Sequence, residues 1–155
     1  MRKLLIPILI IVILLCICLF LIAFTIPSHA ARIYGPPATW LTLPQRVQYS
    51  VQLLWYDGLL TSPLNESGEA QTFVIETGES VNSVAANLQE SGLIRDEESF
   101  RAYLIYSGLD TSIQAGEYRL SAVMSAIDIA HELQDATSAE IEFVVLPGWR
   151  MEEIA

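Results

Sequence analysis

Residues Leu4 to Phe24 carry no charge, and seventeen of these twenty-one are Leu, Ile, Val or Phe. No other feature of the 155-residue chain constrains its architecture as strongly. At about 1.5 Å per residue the run is roughly 31 Å long as a helix, which matches a hydrocarbon core of ~30 Å. Each of the large apolar residues favours insertion by about 0.3–0.6 kcal/mol, so together they supply roughly 5–10 kcal/mol. Pro7 falls in the first turn or two, where a missing N–H does little harm. Residues 4–26 are therefore expected to form a transmembrane helix and residues 1–3 a cytoplasmic tail. Arg2 and Lys3 precede the run, while His29 and Arg32 follow it. The leading pair places the N-terminus in the cytoplasm and exports the rest. A cleaved signal peptide is the rival reading, because Ser28-His29-Ala30 has a small-x-small form. The length of the run, beyond the usual ~7–15 residues of a signal core, favours a retained anchor. Both readings export the domain.

Residues 27–155 hold six Arg and all eighteen acids, a net charge of about −12. Such a surface repels nucleic acid and anionic headgroups, so nucleic-acid binding is excluded. Both cysteines, Cys16 and Cys18, lie in the apolar run and cannot build a disulfide framework for the exported part. Leu15 and Ile17 are not the small residues of a lipid-attachment site. With only His29 and His131 and no exported Cys, no spacing suggests a zinc site, and no cofactor is implied.

Beyond the anchor, residues 27–70 read as a linker carrying a short amphipathic helix. Pro27, Gly35, Pro36, Pro37 and Pro44 mark residues 25–44 as extended. Val47, Val51, Leu54 and Trp55 fall on one helical stripe, which would pack on the domain or lie near the membrane, with a partner-binding helix as the alternative. Gly58, Pro63, Asn65, Ser67 and Gly68 mark residues 57–70 as loop. A compact α+β domain is expected over residues 71–142. Thr72 to Ile75 reads as a strand and Gly78 as a turn. Val81, Val84, Ala85 and Leu88 line a helix that stops near Gly92. Asp96 caps a second helix, with Phe100, Tyr103 and Leu104 inward and Gly108 at its end. Residues 113–120 lead through a turn into a strand. Ser125 and Asp128 form a capping box, with Ile127, Ala130 and Leu133 as the core face of the helix they start.

Ile141 to Leu146 reads as a further strand, and Trp149 to Ala155 as a helix only about two turns long. Such a helix does not stand alone. The expectation is that residues 143–155 begin a truncated downstream domain. A repeat supports this: Phe73 to Ala85 aligns with Phe143 to Ala155, each copy a strand, a Gly turn and a helix start. The alternative is chance likeness between two generic units.

No nucleophile elbow, phosphate-cradling loop or Walker motif is present. Asp128, His131 and Glu132 share a predicted helix but suit a solvated face. Glu97-Glu98 suit the first turn of a helix. Glu117 beside Tyr118 is a conceivable acid, yet it sits in an exposed turn. General acid work at neutral pH needs a carboxyl raised by burial, and no acid here lies in an apolar stretch. From the residues alone, the chain is non-catalytic.

Several segments, in order, carry a resemblance. They are Phe73-Val-Ile, Gly78-Glu-Ser-Val, Val84-Ala85, Leu88, Gly92-Leu-Ile and Phe100-Arg-Ala-Tyr. Further on come Ile113-Gln-Ala-Gly-Glu-Tyr-Arg-Leu, Met124-Ser-Ala-Ile-Asp-Ile-Ala-His-Glu-Leu and Gly148-Trp-Arg-Met-Glu-Glu-Ile-Ala. The first of these resemble a LysM-like module. With the anchor, the set resembles the front of an endolytic murein transglycosylase of the MltG (YceG-like) family. Leu146-Pro147-Gly148 departs from the family's Pro-Glu-Gly, and Val123 and Ala136 stand where Gly is usual.

The resemblance implies a single-pass protein of the bacterial inner membrane that cuts peptidoglycan glycan strands internally. In that chemistry one Glu protonates the glycosidic oxygen. It then assists attack by the muramic 6-hydroxyl, leaving a 1,6-anhydro end, unlike the two-carboxylate hydrolases. The family's catalytic Glu has no counterpart in residues 1–155, so no catalytic residue is assigned. The candidate substrate contact is the turn Gly78-Glu79-Ser80. Peptidoglycan synthases are implied as partners through the family alone. The alternative function is a non-catalytic, membrane-anchored, LysM-like peptidoglycan binder.

Overall fold

The computed structural model describes residues 2–134, with the side chains of residues 2–9 and 19 left aside. The strand, turn and helix expected over residues 141–155, and the second copy of the repeat, lie outside the described residues. Helix α1 spans Arg2–Tyr34. It does not stop where the apolar run stops. Residues 27–34 were expected to be extended, and instead they continue the helix through Pro27. The reason is tertiary: Ala30 and Tyr34 are buried in the core of the domain. Their burial offsets the backbone bond that a proline forfeits.

Residues 35–42 turn the chain back, and Ala38 N–H donates to the Tyr106 carbonyl at 2.6 Å. Helix α2 (Leu43–Trp55) then packs on both α1 and α5. Its buried residues are Ser50 and Leu53, whereas Val51 and Trp55 of the expected stripe are exposed. Helical periodicity was right about which residues share a face, but most of that face is turned outward. A short helix α3 (Asp57–Leu60) stands where loop was expected, and its Leu60 is buried. The region read as a linker is thus largely built into the core.

The rest runs β1 (Ala70–Ile75), α4 (Val81–Glu90), α5 (Glu97–Ser107), a 3-10 turn (Leu109–Thr111), β2 (Gly116–Ser121) and α6 (Ala126–Glu132). The two strands pair antiparallel, from Ala70 opposite Ser121 to Ile75 opposite Gly116. Phe73 faces Tyr118 across the pair, and both are buried, the cross-strand contact that stabilises a small sheet. The order is β–α–α–β, mixed α and β as the sequence indicated.

Local chemistry explains the element ends. Ser80 Oγ accepts from Ser83 N–H at 3.1 Å, and Asp96 Oδ2 accepts from Ser99 N–H at 2.7 Å. Asp128 N–H donates to Ser125 Oγ while Ser125 N–H donates to Asp128 Oδ2, both at 3.1 Å, completing the expected box. Gly92 ends α4 at φ +66° and Gly108 ends α5 at φ +82°, both left-handed. On α6 the core face is Ala126, Ile129 and Ala130, continued by Leu133. Ile127, expected inside, is only half-buried, because the stripe at i, i+3, i+4 and i+7 starts one residue earlier.

Burial pushes the phenol groups of Tyr103, Tyr106 and Tyr118 upward; for Tyr103 the nearby Asp128 adds to it. A raised folded value means the folded chain keeps the proton after the unfolded chain has lost it. Stability from this source is complete below about pH 10 and is lost as pH rises through the folded values, at a slope of at most about 1.4 kcal/mol per pH unit for each tyrosine. Urea midpoints measured across the alkaline range should be flat to about pH 10 and then drop. An unchanged midpoint at higher pH would show that the three hydroxyls ionise freely in the fold.

Candidate functional site

Gly78, Glu79 and Ser80 form the turn between β1 and α4. Gly78 sits at φ +84° with open space where a Cβ would be, so its role is backbone conformation. Glu79 N–H donates to the Glu76 carbonyl at 3.1 Å and closes the turn. The Glu79 carboxylate is held on three sides. Oε1 accepts from Ser83 Oγ–H at 2.8 Å and from Asn87 Nδ2–H at 2.7 Å. Oε2 accepts from Glu76 N–H at 3.1 Å. Ser80 is the N-cap of α4. The sequence candidates are thus together, and each has a part in shaping the turn. A side chain with three internal partners is held in place and fixes the turn.

Two depressions flank this turn. One, of about 490 Å³, is lined by Val74, Thr77, Gly78, Ser83 and Asn87 along with Glu76 and Glu79. The other, of about 110 Å³, reaches Asp110 and Ile113. Both are mainly polar, and the larger is the more open. Among the described residues, no group of three or more His, Cys, Asp or Glu side chains is placed to hold a metal ion.

His131 finds a partner that its sequence neighbours did not suggest. Its Nε2 lies 3.1 Å from the Tyr103 hydroxyl, across from α5. Asp128, three residues before it, is instead engaged by Ser125. Asp128 and His131 are therefore not coupled as a proton-transfer pair. Tyr103 and His131 border a cleft of about 390 Å³ with Ile33, Tyr34 and Ile127.

The sequence model of the YceG-like family matches residues 73–155, from β1 onward and over more than half of the chain. The chain belongs to the YceG-like family. This is the domain of the MltG proteins, and membership connects the chain with peptidoglycan and with MltG-like lytic transglycosylase chemistry. No curated protein and no solved structure matches the chain. The matched segment begins with the strand that leads into the Gly78 turn, so the turn lies inside the YceG-like region. N-terminal to it, Ile10–Tyr34 is long and apolar enough to cross a membrane. Among the described side chains, the large apolar ones from Ile10 to Leu15, Ile17, and from Phe20 to Phe24 are exposed. This is consistent with a single-pass anchor for this YceG-like protein.

Proposed function

We propose that the chain is the membrane-anchored front part of an endolytic peptidoglycan lytic transglycosylase. The observation that carries this reading is the YceG-like match over residues 73–155. The β–α–α–β order with an antiparallel strand pair supports a LysM-like reading of residues 70–121. In this reading the Gly78-Glu79-Ser80 turn and its polar depression meet the glycan, with Glu79 fixing the turn and backbone groups facing the sugar. Catalysis belongs to a Glu outside residues 1–155, which protonates the glycosidic oxygen of a nascent strand. The helix α1 crosses the inner membrane with its N-terminus in the cytoplasm, as Arg2 and Lys3 favour. Wall-building synthases are the natural partners of an enzyme acting on new strands.

The experiment compares two proteins on purified peptidoglycan. The product of the complete reading frame should release 1,6-anhydro-muramic ends, and residues 1–155 alone should release none. Release by residues 1–155 would place the acid inside them and overturn the assignment. Silence from both would remove the enzyme and leave the peptidoglycan binder.

A further inference from the structure

Helix α2 turns an apolar stripe away from the core. Leu43 is 76% exposed, Val51 46% and Trp55 85%, and the half-buried Val47 stands between Leu43 and Val51 at the same helical spacing. The lower end of the stripe faces the anchor. Leu43, Pro44 and Val47 stand across from Phe20, Phe24 and Pro27, and between them runs an apolar groove of about 920 Å³. Phe20 and Phe24 are each 71% exposed. The groove is therefore continuous with the bare apolar surface of α1 and is not a separate patch.

Its height follows from the helices. At the top, Tyr34 Oη bonds to the Leu53 carbonyl and to Asp57. At the bottom, Phe24 faces the first turn of α2 across the groove. About ten residues separate these levels on each helix, roughly 15 Å, so α2 climbs alongside α1 from the level of Phe24. The unbroken apolar run also ends at Phe24, since Thr25 brings in the first hydroxyl. A run that fills a ~30 Å hydrocarbon core puts Phe24 at its edge, and with it Leu43 and Val47.

Charge agrees. No Asp or Glu precedes Asp57, while Arg46 lines the groove and Arg32 lies in the last turn of α1. The acids of the chain all come later in sequence, and the first of them, Asp57, sits at the upper end against Tyr34. An acid-free groove with Arg46 on its wall suits anionic headgroups, and the acidic remainder is repelled by them.

We propose that this groove is a lipid seat. Acyl chains of the leaflet on the domain's side fill the space between α1 and the start of α2, with Leu43 at the boundary between chains and headgroups. The domain then rests on the membrane at a fixed height, and the Gly78 turn is held at a set distance from the surface. The proposal rests on the anchor reading of α1, and its test separates the two.

The test uses the chain with Cys16 and Cys18, both exposed on α1, replaced by Ala. Single cysteines are introduced as Phe20→Cys, Leu43→Cys, Val47→Cys and Val74→Cys, each carrying an environment-sensitive fluorophore, in vesicles of phosphatidylcholine with phosphatidylglycerol. Quenching by a spin label high on the acyl chain is compared with quenching by aqueous iodide. Positions 20, 43 and 47 should be quenched several-fold more by the lipid label than position 74, which should answer to iodide. If position 20 reports lipid while 43 and 47 behave like 74, the seat is wrong and the anchor stands. If position 20 also reports water, both fall. Shielding of 43 and 47 from lipid and iodide alike, relieved by diluting the protein in lipid, would identify a second copy as the occupant and overturn the proposal.

Discussion

Tyr34→Ala is expected to destabilise the domain by about 3–5 kcal/mol, the usual cost of removing a buried aromatic ring. Tyr34 is the last residue of α1 and is only 5% exposed. Its hydroxyl donates to Asp57 Oδ1 at 2.6 Å, with the Leu53 carbonyl also within 2.9 Å. Its ring meets Tyr103 edge-on at 6.5 Å between centroids. The substitution therefore removes ring packing and a bond to a carboxylate together. Tyr34→Phe separates the two, since it keeps the ring and should lose about 1.5–3 kcal/mol for the bond to a charged acceptor. Urea unfolding in detergent micelles measures both. The consequence reaches beyond stability, because Tyr34 joins the anchor to the domain. A spin label at Ile33 should become markedly more mobile in Tyr34→Ala than in Tyr34→Phe. A loss below about 1 kcal/mol for Ala, with no gain in mobility, would mean that the end of α1 is not part of the core.

That coupling was not legible in the sequence, whereas much of the domain was. The ends of α4, α5 and α6 could be read at Gly92, Asp96, Gly108 and Ser125 because capping uses groups three or four residues apart. The faces of α4 and α5 could be read for a similar reason: Leu88 and Phe100 repeat at helical spacing toward one core. Residues 27–34 could not be read this way. Proline and a falling hydropathy argue against helix there, and the contacts that sustain it join Ala30 and Tyr34 to α2 and α5, far along the chain. The sense of α2, toward the domain or toward the membrane, stayed open for a different reason. Val47, Val51 and Trp55 repeat as a core face would, but periodicity does not say what a face touches, and here it turns away from the protein core. The candidate site was legible as a turn, since its residues are contiguous. That Asn87, eight residues on, holds Glu79 depends on the way α4 is set against the turn.

The second large effect is expected at Phe100, on the helix to which most of the domain is joined. Helix α5 packs against α2, α3, α4 and α6, and Phe100 is fully buried in its first turns. Phe100→Ala loses the transfer free energy of the ring and leaves a cavity that four neighbouring helices cannot close without moving. The cost should be about 3–5 kcal/mol. For a domain of this size that lowers Tm by roughly 15–30 °C, a large part of a total stability of about 5–15 kcal/mol. Val74→Ala is the control, because Val74 is 53% exposed on the outer face of β1 and should change stability by no more than about 0.5 kcal/mol. Thermal unfolding of both variants in the same detergent decides the matter. Similar midpoints for the two would contradict a core centred on α5. The expected gap between them implies that the Gly78 turn and the α1 junction depend on one packed core, so a defect at Phe100 should loosen the turn and the anchor joint together.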